Sequence, residues 1–308
     1  MRKRAGHTIR KKNKNPRFIV KSKHIVFGVV SSLAGIVFTT LILFPVFSHA
    51  FYPPVPETND NEVHVLPPDI KKVLGAATPV ASYAVPILMY HYVEYVQDAK
   101  DTIRQSLDIT PNVFEEQLIT LKKAGYTFMT ARQLGDVLNG RENLPPKPIL
   151  LTFDDGYRDF YTDAYPILKK YHIAATAYIV PGFLDKPNYM FASQVEDLVK
   201  DGLVEIGAHT VHHVWLKGMA STQVHEEILT SKKMLESQFH IRVVSFAYPY
   251  GAFDTQAVNI VKDSGFWTGV STVPGIDANI NNRLFLYRLR PGGRTGEDLL
   301  GWLSRYPF

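Results

Sequence analysis

The sequence predicts an α/β fold in which a parallel sheet is curved into a complete or distorted barrel. Short apolar runs alternate with longer amphipathic stretches along most of the chain, which is typical of buried parallel strands covered by helices. The number of strand and helix units is close to that of a barrel. Polar side chains also follow several of the apolar runs, as they do at the carboxyl ends of barrel strands.

The alternation of strands and helices begins with the apolar run PILMYH. The stretch TPNVFEEQLITLKKAG at 110–125 then predicts a helix that Thr110 caps and Pro111 opens. Ser193 and Glu196 predict a capping box at the start of a later helix. Further strands are predicted at 126–130, 148–155, 174–180, 204–210, 243–251, 267–272 and 284–290, and further helices at 131–140, 163–173, 193–202, 223–239 and 254–266.

The N-terminal region predicts a membrane anchor. Residues 1–23 hold ten of the 34 Lys and Arg residues and no acid, and residues 24–47 include an uncharged run of 23 residues, Ile25–Phe47. Such a run is long enough to cross a bilayer as a helix, and the preceding basic residues predict a cytoplasmic N-terminus with the rest of the chain outside. The alternative is a signal segment cleaved after Ala50. A retained anchor is favoured because signal peptides have shorter apolar regions.

Two regions follow the predicted anchor. Residues 48–85 are rich in Pro, Asn, Ala and Thr, and this composition predicts an extended extracytoplasmic stalk. Residues 86–308 then form the predicted barrel domain. The stalk would hold the domain away from the membrane.

Charge and cysteine content exclude several classes of function. Beyond residue 23 the chain has 24 Lys and Arg against 29 Asp and Glu, a balance of 24 − 29 = −5. A mildly acidic domain argues against a nucleic-acid partner, which would need a basic face. Because the chain has no Cys, disulfides and thiolate ligands are excluded, and any metal must bind His and carboxylate side chains.

Three predicted strand ends carry side chains that could form a metal site. The run ILLTF ends in the adjacent residues Asp154 and Asp155, which repel each other and resist burial unless they are compensated. His209 and His213 follow the run VEI, and their spacing allows both to bind one cation. The motif AYPYG follows a third strand. If one carboxylate binds a metal, the other stays ionised beside the cation and can accept a proton from water.

These motifs resemble those of a known family. TFDDG at 152–156, HTVHH at 209–213 and AYPYG at 247–251 are similar to the motifs of polysaccharide deacetylases with a NodB-homology domain, also called carbohydrate esterase family four. The segment VPILMYHYV at 85–93 resembles the subgroup that contains poly-N-acetylglucosamine deacetylases. The resemblance implies a distorted barrel of the (β/α)7 type.

The resemblance also implies roles for individual residues. It implies Asp154 as the catalytic base, and Asp155, His209 and His213 as ligands of a divalent metal, zinc or a similar ion. The implied reaction is hydrolysis of an N-acetyl group on a GlcNAc-type sugar within a glycan, which gives a free amine and acetate.

Two positions depart from the family pattern. Many members have an arginine that orients the base where this chain has Ala247. Arg288 resembles a late arginine of the subgroup and is the candidate replacement, with a surface salt bridge as the alternative. Many members also have a late histidine as general acid, but none follows His240 here. His91 is the predicted substitute, with a core histidine as the alternative, and the backbone N–H of Tyr250 is expected to stabilise the oxyanion.

The expected function is therefore deacetylation of a poly-N-acetylglucosamine-like glycan at the cell surface. Alternatives are deacetylation of peptidoglycan or chitin oligomers, O-acetyl esterase activity, and a catalytically silent, membrane-tethered glycan-binding protein. The intact Asp154 and metal triad argue against the silent alternative, whereas Ala247 and the missing late histidine favour it. The expected partners are an N-acetylated glycan and the membrane. Aromatic residues near the strand ends that could stack on sugar rings, with a place in the core as the alternative for each, are Tyr157, Tyr189 and Trp215.

Overall fold

The structure, a computed structural model, describes residues 64–98 and 100–306. The predicted basic segment 1–23 and the predicted anchor 24–47 lie outside the described residues, as does the first part of the predicted stalk. Within the described ranges, none of the helices combines the length and the apolar character that crossing a bilayer requires.

The strands are short, and most of their residues are buried. In chain order they are β1 (Tyr83–Ala84), β2 (Ile87–Tyr90), β3 (Tyr92–Val93), β4 (Asp108–Ile109), β5 (Thr127–Met129), β6 (Pro148–Phe153), β7 (Ala175–Ile179), β8 (Val204–Ala208), β9 (Ser245–Ala247), β10 (Thr268–Val270) and β11 (Asp277–Ala278). All residues of β2, β6, β7, β9 and β10 are buried. Strands buried on both faces need cover on both sides, which agrees with the continuous apolar runs in the sequence.

Seven strands of the described chain form one parallel sheet. Its order is β10-β9-β8-β7-β6-β2, and β5 pairs with the first half of β6 on the same edge as β7. Because the pairings within this sheet are parallel, the carboxyl ends of the strands lie at one edge. The predicted α/β fold with a parallel sheet is confirmed.

A segment near the C-terminus connects the two edge strands of the sheet. The N–H of Leu286 donates to the carbonyl of Gly269 in β10, and the N–H of Leu289 donates to the carbonyl of Ile87 in β2, both at 2.8 Å. We call residues 286–289 the closing segment. The last predicted strand thus makes one isolated bridge to each edge rather than a continuous ladder. One short segment reaches both edges because the sheet is curved.

Helices cover the sheet and alternate with its strands, as the sequence predicts. They are α1 (Pro68–Ala76), α2 (Thr102–Leu107), α3 (Pro111–Lys123), α4 (Ala131–Leu138), α5 (Tyr165–Tyr171), α6 (Ala192–Asp201), α7 (Ser221–Phe239), α8 (Thr255–Asp263) and α9 (Gly296–Leu303). A π-helical turn at Phe160–Ala164 precedes α5.

The start of α6 differs from the prediction. The helix begins at Ala192, and the side chain of Gln194 accepts a hydrogen bond from the N–H of Phe191 at 2.8 Å. The capping box predicted for Ser193 and Glu196 is therefore wrong. Ser193 lies inside the first turn, where its hydroxyl cannot act as the cap.

Residues 64–85, the described part of the predicted stalk, are folded onto the domain rather than extended throughout. Helix α1 buries Ile70 in the core, and Leu74 packs there one turn later. The carboxylate of Asp69 accepts hydrogen bonds from the N–H and the hydroxyl of Thr255 at 2.7 and 2.6 Å. Strand β1 pairs with β11. The apolar pair at i and i+4 gives this Pro-rich segment a face to bury, which its overall composition conceals.

Candidate active site

Four strands of the sheet are each followed directly by a residue that lines one cavity. His91 follows β2, Asp154 follows β6, His209 follows β8 and Tyr248 follows β9. The cavity has a volume of about 790 Å³. Residues far apart in sequence meet there because the parallel strands end at the same edge of the sheet.

Asp155, His209 and His213 form a compact group of possible metal ligands. Their ligand atoms lie within 4.8 Å of one another. The Nε2 atoms of His209 and His213 are 3.3 and 3.0 Å from Oδ1 of Asp155. Two ligands of a tetrahedral ion, each about 2.1 Å from the metal, are about 3.4 Å apart. The spacing observed here is close to that requirement.

Two further observations fit these residues to a divalent metal. Nδ1 of His209 lies 2.7 Å from the carbonyl oxygen of Ala247, so Nδ1 carries the proton and Nε2 keeps its lone pair towards Asp155. Oδ1 of Asp155 is buried and has no hydrogen-bond donor of good geometry, and a buried carboxylate oxygen needs a donor or a cation. Two imidazoles and a carboxylate are ligands that zinc and similar ions accept.

Arg288 is buried against Asp154. Its Nη1 and Nη2 atoms donate to Oδ1 and Oδ2 of Asp154, both at 2.8 Å. The same guanidinium donates to the carbonyl of Ser271 at 2.7 Å and to the hydroxyl of Thr152 at 3.2 Å. This bidentate pair fixes both carboxylate oxygens of Asp154. Because Arg288 is 1% exposed, the alternative of a surface salt bridge is excluded.

Neighbouring side chains lower the pKa values of both aspartates. Burial alone would raise the pKa of Asp154, but the Arg288 guanidinium outweighs burial and holds that pKa below its ordinary value. Burial acts in the same way on Asp155, where His213 and His209 hold the pKa well below its ordinary value. Both carboxylates are therefore ionised at neutral pH.

His91 lies beside Asp154, directly after the carboxyl end of β2. Its Nε2 atom is 3.9 Å from Oδ2 of Asp154, and its side chain lines the cavity. Burial lowers the pKa of His91, and the negative charges of Asp154 and Asp155 partly oppose this shift.

Four non-glycine residues of the site have left-handed backbone conformations. The φ angles are 72° at Asp155, 60° at Thr210, 55° at His213 and 59° at Tyr250. Such conformations cost about 1–3 kcal/mol each and concentrate at functional sites. The ring of Tyr250 lies 4.5 Å from that of His213, so the structure brings Tyr250 next to the possible metal ligands.

Aromatic side chains line part of the cavity. Tyr157 stacks on Tyr92 with ring centroids 4.0 Å apart and on Tyr189 with centroids 5.1 Å apart. Trp215 packs against Tyr250 at 6.0 Å. The three residues predicted as sugar-stacking candidates are therefore in or next to the cavity, and Tyr92 joins them as a residue that the sequence analysis missed.

Sequence reasoning also missed Glu227. This residue is 1% exposed on α7, and its carboxylate accepts hydrogen bonds from the loop between His209 and His213. A signal was present, because Glu227 shares one face of the helix with the apolar residues Val224 and Ile228. An acid on an apolar face predicts a buried partner.

Comparisons with known proteins agree with this geometry. The family model for polysaccharide deacetylases matches residues 141–269. YxkH of Bacillus subtilis, which carries the name polysaccharide deacetylase, is 30% identical over 206 residues, which cover 67% of this chain and 71% of that protein. The poly-β-1,6-N-acetyl-D-glucosamine N-deacetylase of Staphylococcus aureus is 26% identical over 181 residues, or 54% of this chain and 62% of that protein.

Solved structures give the same assignment. The deacetylase PplD of Streptococcus pyogenes, in complex with acetate, matches with a TM-score of 0.66 and 31% identity, over 72% of this chain and 98% of that one. A polysaccharide deacetylase of Bacillus cereus matches with a TM-score of 0.62 and 29% identity, over 72% of this chain and 69% of that one. Together with the residues at the strand ends, these matches show that the chain belongs to the polysaccharide deacetylase family of hydrolases, the NodB-homology group also called carbohydrate esterase family four.

Proposed function

We propose that this protein is a metal-dependent N-deacetylase that removes acetyl groups from a poly-N-acetylglucosamine-like polysaccharide at the cell surface. The observation that carries the proposal is the bidentate pair of Arg288 and Asp154 beside the ligand group Asp155, His209 and His213. The name of the Staphylococcus aureus relative supports the choice of glycan.

Asp154 is the general base in this proposal. A divalent ion held by Asp155, His209 and His213, zinc in the first instance, would polarise the acetyl carbonyl and make water more acidic. Asp154 takes the proton from the attacking water, and Arg288 keeps its carboxylate ionised and free to do so by holding its pKa below the ordinary value. Arg288 aims both oxygens of the carboxylate and keeps its charge in place.

His91 and Tyr250 complete the proposed set of catalytic groups. The leaving amine needs a proton, and His91 is the candidate donor because it lines the cavity beside Asp154. Burial lowers the pKa of His91, so we propose that it donates only in the complex with substrate, after its surroundings have changed. The backbone N–H of Tyr250 is the proposed donor to the oxyanion.

The glycan is proposed to lie along the aromatic side of the cavity. The stacked rings of Tyr92, Tyr157 and Tyr189 offer apolar faces to sugar rings. The cavity volume of about 790 Å³ is sufficient for more than one sugar unit. A polymer with its reactive N-acetyl group at Asp154 could therefore contact the protein through neighbouring sugars.

The proposed location is the outer face of the cell membrane. It rests on the basic residues of segment 1–23 and the apolar run Ile25–Phe47. The same domain would be secreted if the chain were cleaved after Ala50.

Acetate release by the purified protein tests the proposed function. We expect release from poly-β-1,6-N-acetylglucosamine, loss of activity in a strong chelator, and recovery on addition of zinc. Matched assays with peptidoglycan, chitin oligomers and an O-acetylated glycan examine the alternative substrates. Faster release from one of these would replace the proposed glycan, and binding without release from any of them would favour the silent glycan-binding protein.

A further inference from the structure

Both histidines of the possible metal site belong to one short loop. His209 is the residue that follows β8, and His213 lies four residues later. We call residues 209–213 the histidine loop. Its backbone has left-handed conformations at Thr210 and His213, with φ angles of 60° and 55°. Neither residue is glycine, so surrounding contacts must hold this conformation against its cost.

Glu227 supplies such contacts from α7. Its Oε2 atom accepts hydrogen bonds from the N–H groups of Val211 and His212 at 2.9 and 3.0 Å. Its Oε1 atom lies 2.7 Å from Nδ1 of His212. All three partners belong to the stretch between the two histidine ligands. One buried carboxylate thus fixes the middle of the histidine loop at three points.

The opposite side of the histidine loop is held by the turn after β7. The N–H of Gly182 donates to the carbonyl of Val211 at 3.1 Å. A Cβ atom at Gly182 would lie 2.3 Å from that carbonyl oxygen, so only glycine permits this approach. Val211 is therefore bound through its N–H to Glu227 and through its carbonyl to Gly182.

The burial of Glu227 argues against an incidental contact. A carboxylate that is 1% exposed carries a large desolvation cost, which hydrogen bonds must offset. The neighbouring residue Glu226 is exposed on the same helix, as acids usually are. The partners of Glu227, Val211 and His212, also lie within two residues of His213, so moving them moves the ligand.

We propose that Glu227 is a positioning residue for the metal site. It holds the histidine loop in the left-handed conformation that directs Nε2 of His209 and of His213 towards Oδ1 of Asp155. Glu227 acts through the backbone of Val211 and His212 and touches neither the metal nor the substrate. This inference rests on the metal site of the proposed function, and it adds a residue that determines how tightly the site binds its ion.

Zinc affinity of the purified full chain tests the proposal, with cobalt(II) as a spectroscopic probe of ligand geometry. Glu227→Ala is expected to weaken zinc binding by about 10- to 100-fold, as loss of outer contacts does in other metal sites. The visible absorption of the cobalt(II) form is expected to weaken as well, because the imidazoles no longer converge. Glu227→Gln keeps one carbonyl oxygen for the two N–H donors, so it is expected to lose less affinity than Glu227→Ala.

Two control variants on α7 separate positioning from general stability. Glu226→Gln makes the same chemical change at an exposed position and is expected to leave zinc affinity unchanged. Ile228→Val removes a buried methyl group next to Glu227, is expected to lower the melting temperature, and is also expected to leave zinc affinity unchanged. If Glu227→Ala does not fold, the zinc affinities of Glu227→Gln and Ile228→Val are compared, with both variants at the same temperature below their melting temperatures. Weaker binding by Glu227→Gln alone supports positioning, and equal binding contradicts it.

The outcomes distinguish this inference from the proposed function. If the unmodified protein binds neither zinc nor cobalt(II), the metal site itself is wrong and the inference fails with it. If the unmodified protein binds zinc but the Glu227 variants bind it as tightly as Ile228→Val does, Glu227 is a stabilising residue only. A loss of affinity confined to the Glu227 variants supports the positioning role.

Discussion

Asp154 and Asp155 are adjacent in the sequence but have different partners in the structure. Asp154 directly follows β6 and pairs with Arg288. Asp155 has a φ of 72°, which turns the chain and directs its carboxylate towards His209 and His213. Two like charges are tolerated side by side because Arg288 offsets the charge of Asp154, and in the proposed function a divalent ion shared with His209 and His213 would offset that of Asp155.

Replacing each aspartate by asparagine should separate their roles. Asp154→Asn is expected to retain the metal, because the ligands are unchanged, and to lose about 10²- to 10⁴-fold in turnover. Asp155→Asn is expected to lose metal affinity, since an amide oxygen is a weaker ligand than a carboxylate. Metal content and acetate release are measured for both variants. The assignment is reversed if Asp154→Asn loses the metal and Asp155→Asn keeps its normal metal content.

Arg288→Lys should change the pKa and orientation of Asp154, the proposed base, and leave metal binding unchanged. Lysine keeps the charge but cannot make the bidentate contact to Asp154. The pKa of Asp154, which Arg288 lowers, is then expected to rise, so the base is protonated at higher pH. The acid limb of the kcat/KM profile should move to higher pH, with activity about 10- to 100-fold lower. Arg294→Lys, whose parent arginine donates to the carbonyl of Pro291, is the matched control, and equal profiles for both variants would contradict the prediction.

Asp159 gives a pH-dependent stability that is independent of the metal ligands. Burial raises its pKa from 3.8 to about 7, so the folded state holds a proton that the unfolded state releases. This group therefore favours folding below pH 4, and that contribution is lost as pH rises through about 7, with about 4 kcal/mol as the upper limit. Asp159→Asn is expected to raise the melting temperature more at pH 8 than at pH 4. The exposed Asp263→Asn serves as control, and equal shifts at both pH values would refute the assignment.

At the scale of secondary-structure elements, local sequence signals predicted one helix start correctly and another wrongly. The cap at Thr110 is confirmed, because its side chain accepts from the N–H of Val113 and Pro111 opens α3. The prediction for the start of α6 was wrong. There the side chain of Gln194 accepts a hydrogen bond from the N–H of Phe191, and phenylalanine carries no capping signal. Both signals are local, and only one matched the backbone that tertiary packing selects.

Gly269 sets how closely the chain just before the closing segment can approach β10. A Cβ atom there would lie 2.3 Å from the carbonyl oxygen of Leu284. Gly269→Ala is expected to destabilise the fold by about 1–3 kcal/mol and to reduce activity further by displacing Arg288. Gly301→Ala, where nothing lies within 4 Å of the added atom, should be neutral or stabilising. Unchanged melting temperature and turnover in Gly269→Ala would contradict this account.

At the scale of the whole molecule, the predicted anchor leads to a test of orientation. Segment 1–23 holds ten basic residues and no acid, so the N-terminus is expected inside the cell and the domain outside. Protease added to intact cells should remove the domain and spare segment 1–23. Digestion of the domain only after lysis would place it in the cytoplasm instead.

The α/β fold and much of the site followed from the sequence, but long-range contacts did not. Periodicity indicated parallel strands, and the motifs named Asp154, Asp155, His209 and His213, which the structure brings together. The choice between a buried and a surface Arg288 was open, because its partner Asp154 lies 134 residues away. Glu227 was missed because its partners include backbone N–H groups. These groups do not depend on the side chain, so the sequence does not mark them.

The closing segment has a consequence for biosynthesis. It joins β2 to β10 and carries Arg288 to Asp154, so completion of the sheet and alignment of Asp154, the proposed base, are one event. Residues 286–289 come after Asp154, His209 and His213 in the chain, so they leave the ribosome after them. A nascent chain that has already exposed Asp154, His209 and His213 therefore still lacks the guanidinium that holds Asp154 in place, and the proposed catalytic geometry arises only after Arg288 has also emerged.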